Sequence, residues 1–165
     1  MTMARRQNKI SLTDEAATVE LAGRVAAATE PGDVLALSGD LGSGKTVFAR
    51  AFINARSSEP EEVPSPTFTL VQEYQFPPDI AVYHFDLFRI EHAEETIELG
   101  MDEAFQDGIS LIEWPERIAG RLPDDRLEII MTQGDDAGAR QANLLGMGAW
   151  GPRLEKILVQ GAIGD

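Results

Sequence analysis

The sequence predicts an α/β fold, because strand-like and helix-like segments alternate along the chain and the strand-like segments include short, largely apolar runs. Residues 34–37, which are bounded by Gly32 and Gly39, and residues 109–112 form two such runs. Runs of this kind are typical of strands buried on both faces, as in a parallel sheet. A chain of 165 residues, 43% of them hydrophobic, can bury its own core, and it shows no internal repeat. We therefore predict a single domain over residues 1–165.

The first third of the chain predicts a helix, a buried strand and a second helix. Residues 1–10 are polar and basic and are interpreted as a frayed lead-in. A helix is expected to begin at residues 13–15, where a capping hydroxyl precedes acidic residues, and to stop at Pro31-Gly32. The run 34–37 is predicted to be a strand, and helical spacing resumes over residues 46–55.

The remaining elements are predicted from β-branched and aromatic runs separated by loop-forming residues. In chain order they are a loop at 57–66, β-rich runs at 67–76 and 80–88 joined as a hairpin at Pro77-Pro78-Asp79, two short acidic helices within 92–106 broken at Gly100, strands at 109–112 and 127–131, and a polar loop at 132–143. Residues 154–159 fit either a helix or a strand, because their period does not decide between the two.

The charge of the chain limits its direct partners. Lysine and arginine total 14 and aspartate and glutamate total 28, which gives a formal net charge of −14. Direct binding to nucleic acid or to an anionic membrane is disfavoured, because both need a basic surface. The chain has no cysteine and no apolar run near the roughly 20 residues of a membrane span. We expect a cytoplasmic protein that contacts neither DNA nor a membrane.

Residues 39–46 match the phosphate-binding pattern G-x-x-x-x-G-K-[ST] at every fixed position. Its glycines let backbone N–H groups point inward at phosphate oxygens, and the following helix adds the positive end of its dipole. Lys45 supplies an ammonium for the β- and γ-phosphates, and the hydroxyl of Thr46 can bind Mg²⁺. With 15 glycines and three lysines in the chain, chance gives roughly 0.002 such matches. An accidental match is a poor explanation.

The pattern indicates a nucleoside triphosphate without specifying the base. GTPases read guanine through an Asn/Thr-Lys-x-Asp segment, whereas Asn8-Lys9-Ile10-Ser11 lacks the aspartate and precedes the loop, so ATP or ADP is the expected ligand. The loop residues expected to contact it are Asp40, Leu41, Gly42, Ser43, Gly44, Lys45 and Thr46.

Two acids are candidates for completing a Mg²⁺ site, because each ends a predicted strand. Asp86 closes a β-rich run and Glu113 follows the run 109–112. Both are expected at the carboxyl end of a strand, where ligands bind in open α/β sheets. The residues alone do not choose between them. His84 is interpreted as a hydrogen-bonded structural residue, and Trp114 as a core aromatic or a stacking platform.

Four segments, in this order and spacing, resemble the TsaE (YjeE) family, the bacterial ATPases of tRNA threonylcarbamoyladenosine biosynthesis. The segments are the loop at 39–46, Ser65-Pro66-Thr67-Phe68, His84-Phe85-Asp86-Leu87-Phe88-Arg89 and Ile112-Glu113-Trp114-Pro115-Glu116. The resemblance spans about residues 10–131 and implies a P-loop NTPase-like three-layer fold with a mixed, mainly parallel central sheet. The sequence departs from the family at Ser43, often alanine, at Phe88, usually tyrosine, and in the tail beyond Gly134, which does not align.

The resemblance implies roles for the residues around the phosphates. Glu113 looks like the acid that pairs with Thr46 at Mg²⁺, and Asp86 looks like the Walker B-type acid, which makes all three implied metal ligands. Lys45 and Thr67 join the two acids as implied catalytic residues, Thr67 as part of a switch-like loop near the γ-phosphate.

The same resemblance places residues farther from the phosphates. Trp114 is similar to the family's tryptophan beside the nucleotide, and the segment near Glu15 is expected to lie along the nucleotide. No arginine finger is identified, and Arg89 is a candidate only through its proximity to Asp86.

The implied reaction is hydrolysis of ATP to ADP and phosphate, coupled to resetting a complex of two partner proteins, TsaD and TsaB, that handles the tRNA. An acidic ATPase would then reach tRNA indirectly, through the complex. One alternative is a small-molecule kinase, which is disfavoured because no arginine cluster lies between residues 57 and 88. The other is a regulatory module that binds the nucleotide without useful turnover.

Overall fold

The computed structural model describes residues 5–40, 42–57, 70–136 and 138–163. Within these residues a seven-stranded sheet carries helices on both faces. The strands are β1 (Arg5–Leu12), β2 (Val34–Ser38), β3 (Val71–Phe76), β4 (Ile80–Asp86), β5 (Ile109–Glu113), β6 (Arg126–Gln133) and β7 (Arg140–Met147). The helices are α1 (Glu15–Ala28), α2 (Lys45–Arg56), α3 (Glu95–Glu98), α4 (Met101–Asp107) and α5 (Trp150–Ile163), with a 3₁₀ helix at Pro115–Arg121.

The sheet is mixed, with its parallel strands at the centre. The strand order is β1-β7-β6-β2-β5-β4-β3. Strands β6, β2, β5 and β4 are parallel neighbours, β1 runs in the same direction, and β7 and β3 run in the opposite direction. This mainly parallel arrangement confirms the predicted fold class. It also brings the carboxyl ends of β2, β4 and β5 to one edge of the sheet.

Alternate residues of the central strand β2 belong to two separate cores. Leu35 and Leu37 pack with buried residues of α1, α2 and α5 on one face. Val34 packs with buried residues of α4 and the 3₁₀ helix on the other. All three side chains are fully buried, which is why the run lacks polar residues. The strand is thereby fixed from both sides, and so is the loop that follows it.

The predicted helices are present, with differences at their ends. Helix α1 ends at Ala28, before the predicted stop at Pro31-Gly32. Helix α1 is capped by Asp14, whose side chain accepts a hydrogen bond of 2.9 Å from the N–H of Ala17, and not by the hydroxyl of Thr13, as the sequence predicts. The acidic segment contains two helices, α3 and α4, and Gly100 separates them with φ 74°. This left-handed conformation suits glycine best.

Two predictions near the chain ends are corrected, and one that was left open is decided. The expected frayed lead-in is the edge strand β1 from Arg5 onward, whose main chain pairs with β7. The polar loop predicted at 132–143 is a hairpin, because β6 continues to Gln133 and β7 begins at Arg140. The undecided segment 154–159 lies in helix α5. Residues 58–69, with most of the predicted loop and Thr67, lie outside the described part of the chain.

None of the helices formed by the described residues has the length and apolar content needed to cross a bilayer.

Helix α1 has no basic residue in its last turn, and arginines from two other helices bind its terminal carbonyls instead. Arg56 of α2 donates to the carbonyl of Ala26 at 2.9 Å, and Arg153 of α5 donates to that of Ala28 at 2.6 Å. Arg153 also makes two hydrogen bonds of 2.7 Å to the carboxylate of Asp33, which raise the pKa of its guanidinium.

Replacing Arg153 with methionine is expected to lower the free energy of unfolding by about 2 kcal/mol, because the buried carboxylate of Asp33 loses a bidentate partner. Lys156→Met, at an exposed position of the same helix, is the matched control and should change stability by less than about 0.5 kcal/mol. Denaturant-induced unfolding measures both values. Equal stabilities of the two variants would show that the ion pair does not anchor α5.

Candidate nucleotide-binding site

A cleft of about 400 Å³ lies at the edge of the sheet where β2, β4 and β5 end. Each strand delivers one part of the site. The loop after β2 begins at Gly39, β4 ends at Asp86, and β5 ends at Glu113. Asp86 and Glu113 are paired across the two parallel strands, so both carboxylates belong to the same face of the sheet. The main chain alone therefore brings the two predicted acids together beside the loop.

The loop between β2 and α2 depends on glycines with positive φ. Gly39, Gly42 and Gly44 have φ of 138°, 79° and 105°. A Cβ atom on Gly39 would lie 2.3 Å from the carbonyl oxygen of Met131 and 2.6 Å from Oγ of Ser43. Because the first of these atoms is main chain in the neighbouring strand β6, the loop could admit a side chain only by moving away from the sheet. Glycine is required at this position because of its positive φ and because a Cβ atom would collide with β6.

The amino end of α2 faces the cleft without a side-chain cap. Gly44 is the N-cap residue and has no side chain to accept a hydrogen bond from the helix. The first N–H groups of α2 are therefore available to a ligand. Gly42, Gly44, Lys45, Thr46 and Val47 all line the cleft. An uncapped helix end with a cradle of glycines is an anion-binding arrangement.

The ammonium of Lys45 is held inside the cleft by two groups. It donates to the carbonyl oxygen of Gly39 and lies 3.7 Å from the centroid of the Trp114 ring. Lys45 is only 5% exposed, and this burial lowers the pKa of its ammonium, while nearby carboxylates, foremost that of Glu113, act in the opposite direction. Phosphate oxygens would be stronger partners for the ammonium than a carbonyl and an aromatic face.

Trp114 forms one wall of the cleft in a left-handed conformation. Its φ is 60°, which is rare for a bulky residue, and it directly follows Glu113 at the end of β5. The ring contacts Phe88 with a centroid distance of 5.0 Å and an interplanar angle of 50°. Trp114 therefore lines the cleft beside the loop and also packs against one of the two cores. Strained residues of this kind concentrate at functional sites.

The hydroxyl of Thr46 meets the carboxylate of Glu113 across the cleft. It donates to Oε1 at 3.1 Å and lies 3.4 Å from Oε2. Oε2 also lies 2.6 Å from Nε2 of His84, a fully buried ring on β4. Asp86 lines the same cleft, and one of its oxygens accepts from the N–H of Phe88 at 3.0 Å.

These oxygen donors suit Mg²⁺ in chemical type. A hydroxyl and two carboxylates are hard ligands, and Mg²⁺ usually takes one or two carboxylates and completes its octahedron with water and phosphate oxygens. The described residues contain no group of three or more acids, histidines or cysteines that could form an all-protein cage. Thr46, Asp86 and Glu113 therefore fit a cation that arrives with a nucleotide.

Most of the predicted site residues that the structure describes line the cleft, and Glu15, Asp40 and Ser43 lie elsewhere. Glu15 lies in a neighbouring pocket with Thr18, Gly44 and Val47, which is consistent with a place along a nucleotide. Ser43 is buried within the loop, and the Asp40 carbonyl accepts from its N–H at 3.1 Å. Leu41 and Thr67 lie outside the described residues, so their roles stay predictions.

Arg140, which the sequence did not single out, also lines the cleft. It opens β7, and its Nε lies 3.5 Å from the position that a Cβ on Gly44 would occupy. This Nε is buried and has no hydrogen-bond partner among the described residues, although another guanidinium nitrogen donates to the carbonyl of Ala139 at 2.8 Å. The sequence predicts a loop for the segment that contains Arg140, and this prediction conceals the position of the residue at the start of β7. Arg89 is exposed and is not among the residues that line the cleft.

The profile of one family matches most of the chain. It is the family described as Threonylcarbamoyl adenosine biosynthesis protein TsaE, and the match covers residues 12–142. The chain belongs to the TsaE family. This confirms the resemblance inferred from the four segments, and it assigns the chain to a family of tRNA threonylcarbamoyladenosine biosynthesis. The match continues past residue 131, where the inferred resemblance ended, and includes Arg140.

Individual TsaE relatives and a solved structure agree with the family profile. The TsaE protein of Rickettsia bellii is 40% identical over 125 residues, which are 76% of this chain and 86% of that protein. The Bacillus subtilis TsaE protein is 42% identical over 121 residues, 72% of this chain and 74% of that protein. The crystal structure of Bacillus subtilis YdiB matches with a TM-score of 0.78 at 29% identity and covers 97% of this chain and 99% of that chain.

Gly39→Ala is expected to destabilise the fold by about 2 kcal/mol or more, because a Cβ at this position collides with the main chain of β6 and the φ of 138° disfavours alanine. Gly23→Ala is the control. No atom lies within 4 Å of its added Cβ, and alanine in the middle of α1 should stabilise the fold by roughly 0.5–1 kcal/mol. Denaturant unfolding measures both. A Gly39 variant as stable as the parent would contradict the steric argument.

Proposed function

We propose that the chain is a Mg²⁺-dependent ATPase that hydrolyses ATP in this cleft and supports threonylcarbamoyladenosine modification of tRNA. The observation that carries the proposal is the contact between the hydroxyl of Thr46 and the carboxylate of Glu113, directly beside the uncapped amino end of α2. A phosphate cradle alone binds an anion. A hydroxyl and a carboxylate placed together at its rim add the ligands of a Mg²⁺–nucleotide complex.

In the proposed complex the loop and Lys45 bind the nucleotide phosphates. Main-chain N–H groups of the loop donate to phosphate oxygens, and Lys45 exchanges the carbonyl of Gly39 for the β- and γ-phosphates. The ammonium then stabilises negative charge on the transferring phosphoryl group. This exchange releases the Trp114 ring from its cation–π contact, so the ring's surroundings change when nucleotide binds.

Thr46, Glu113 and Asp86 are the residues that would hold Mg²⁺, and bound Mg²⁺ would neutralise phosphate charge as the γ-phosphoryl bond breaks. Thr46 and Glu113 are already in contact. One oxygen of Asp86 accepts from the N–H of Phe88, which holds its carboxylate in the same cleft. A wall of Trp114 and Phe88 limits solvent access from one side.

The partners proposed from family membership are TsaD and TsaB, with tRNA reached through their complex in the cytoplasm. The net charge of −14 supports this indirect route, because an acidic protein repels the phosphate backbone of RNA. Hydrolysis would then reset the complex between rounds of modification.

Phosphate release from ATP tests the proposal, measured with and without purified TsaD and TsaB. The parent chain should release phosphate to water, and faster in the presence of the two partners. Lys45→Ala should lower the rate by about 10²–10³-fold, because it removes the main fixed positive charge at the phosphates. Lys156→Ala, at an exposed lysine on α5, is the matched control and should keep the parental rate.

Each other outcome points to a different function. Transfer of the phosphoryl group to a small acceptor would indicate a kinase. Tight nucleotide binding without turnover, even with both partners present, would indicate a regulatory module. A Lys45→Ala variant with the parental rate would exclude this cleft as the site of hydrolysis.

Arg140→Gln is expected to weaken ATP binding by about tenfold, since the Nε–H of Arg140, which has no partner among the described residues, would donate a charge-assisted hydrogen bond to the nucleotide. Arg140→Lys should recover only part of the loss, because lysine cannot reproduce the guanidinium geometry. Arg121→Gln, at an exposed arginine that does not line the cleft, is the control. Calorimetric titration measures the dissociation constants, and equal values for Arg140→Gln and Arg121→Gln would exclude a contact with nucleotide.

A further inference from the structure

His84 is a buried polar residue that the proposed reaction does not use. The ring is fully buried in β4, and its Nε2 lies 2.6 Å from Oε2 of Glu113, which is itself only 2% exposed. Burying an imidazole costs free energy that a leucine at the same position would not cost. A short hydrogen bond to a carboxylate offsets that cost. The arrangement therefore depends on the contact with Glu113.

The contact is set by the register of two parallel strands. Asp86 is paired with Glu113 and His84 with Leu111, so all four side chains lie on one face of the sheet. Leu111 belongs to the core on the face covered by α2. The ring of His84 consequently contacts the carboxylate of Glu113 from the neighbouring strand β4. Thr46, in the first turn of α2, contacts the same carboxylate from the helix.

The two contacts together fix the orientation of the Glu113 carboxylate. His84 approaches Oε2 at 2.6 Å, and the Thr46 hydroxyl is closest to Oε1, at 3.1 Å. A carboxylate offers about four lone-pair directions, so two contacts leave positions open for a metal ion. A carboxylate that binds a metal can only accept, which makes Nε2–H of His84 the donor. The Nδ1 atom is buried and has no partner among the described residues.

We propose that His84 is a positioning residue that holds Glu113 in the orientation needed to bind Mg²⁺ together with Thr46. The inference rests on the proposed function, because it concerns the same Mg²⁺ site. His84 itself touches neither the metal nor the nucleotide. Hydrogen-bond partners of this kind change metal affinity by about 10–100-fold when they are removed.

Two substitutions separate the hydrogen bond from the packing of the ring. In His84→Gln the amide nitrogen lies the same number of bonds from Cβ as Nε2 does in histidine, so it can donate to Glu113. In His84→Asn the amide is one bond shorter and cannot reach. Val82→Ala is the control for a loosened strand, since Val82 is fully buried on the same face of β4, two residues before His84.

The experiment measures ADP binding by calorimetry across a Mg²⁺ series and in EDTA, with thermal unfolding of each variant alongside. For His84→Asn we expect the Mg²⁺ concentration at half-saturation to rise by about tenfold. His84→Gln should stay within about threefold of the parent, because it keeps the donor. ADP affinity in EDTA should stay within about twofold for every variant, since the phosphate loop is unchanged.

Two results would overturn the role of His84. One is a parental Mg²⁺ half-saturation in His84→Asn. The other is an equal shift in Val82→Ala, which would assign the effect to loss of packing. Failure of the proposed Mg²⁺ site looks different, because ADP binding by the parent chain itself would then be indifferent to Mg²⁺. Failure of the proposed hydrolysis is detected separately, as an absence of phosphate release by the parent chain.

Discussion

The carboxylate of Glu113 is the group on which the candidate site depends. It ends β5, receives the hydroxyl of Thr46 from α2, and contacts the ring of His84 from β4. Three elements from separate parts of the chain therefore meet at one buried side chain. A displacement of any of them changes the distance between the phosphate loop and the acids. Strand β2, which leads into the phosphate loop, is packed on both faces, so neither core can shift without opening a cavity.

Much of the fold and half of the site follow from local sequence patterns. Strand β2 and helix α2 are recognisable because apolar residues fill both faces of the strand and glycines mark the loop between them. Asp86 and Glu113 are recognisable because each ends such a strand. The four segments around the loop and the acids also indicate the TsaE family, which the family profile confirms. Nothing local distinguishes which acid contacts Thr46, since that depends on the pairing of β4 with β5.

The missed features share a physical cause, which is distance along the chain. Strand β1 carries polar and basic residues because it lies at the edge of the sheet, and only its pairing with β7 makes it a strand. The position of Arg140 depends on that hairpin, so treating 132–143 as a loop concealed it. His84 resembles any structural histidine until Glu113, 29 residues later, is placed beside it. Patterns of period two or 3.6 carry no information about such partners.

The distribution of charge explains why the nucleotide should enter with its metal. Acidic residues outnumber basic ones two to one in the chain, and some basic side chains are committed to structure, as Arg56 and Arg153 are at the end of α1. The field of such a protein repels a free nucleotide triphosphate over several ångströms, subject to screening by salt. Mg²⁺ lowers the charge of the nucleotide, and in the proposed complex it would pair with the acids of the cleft. The carboxylates that repel ATP alone would therefore attract the complex.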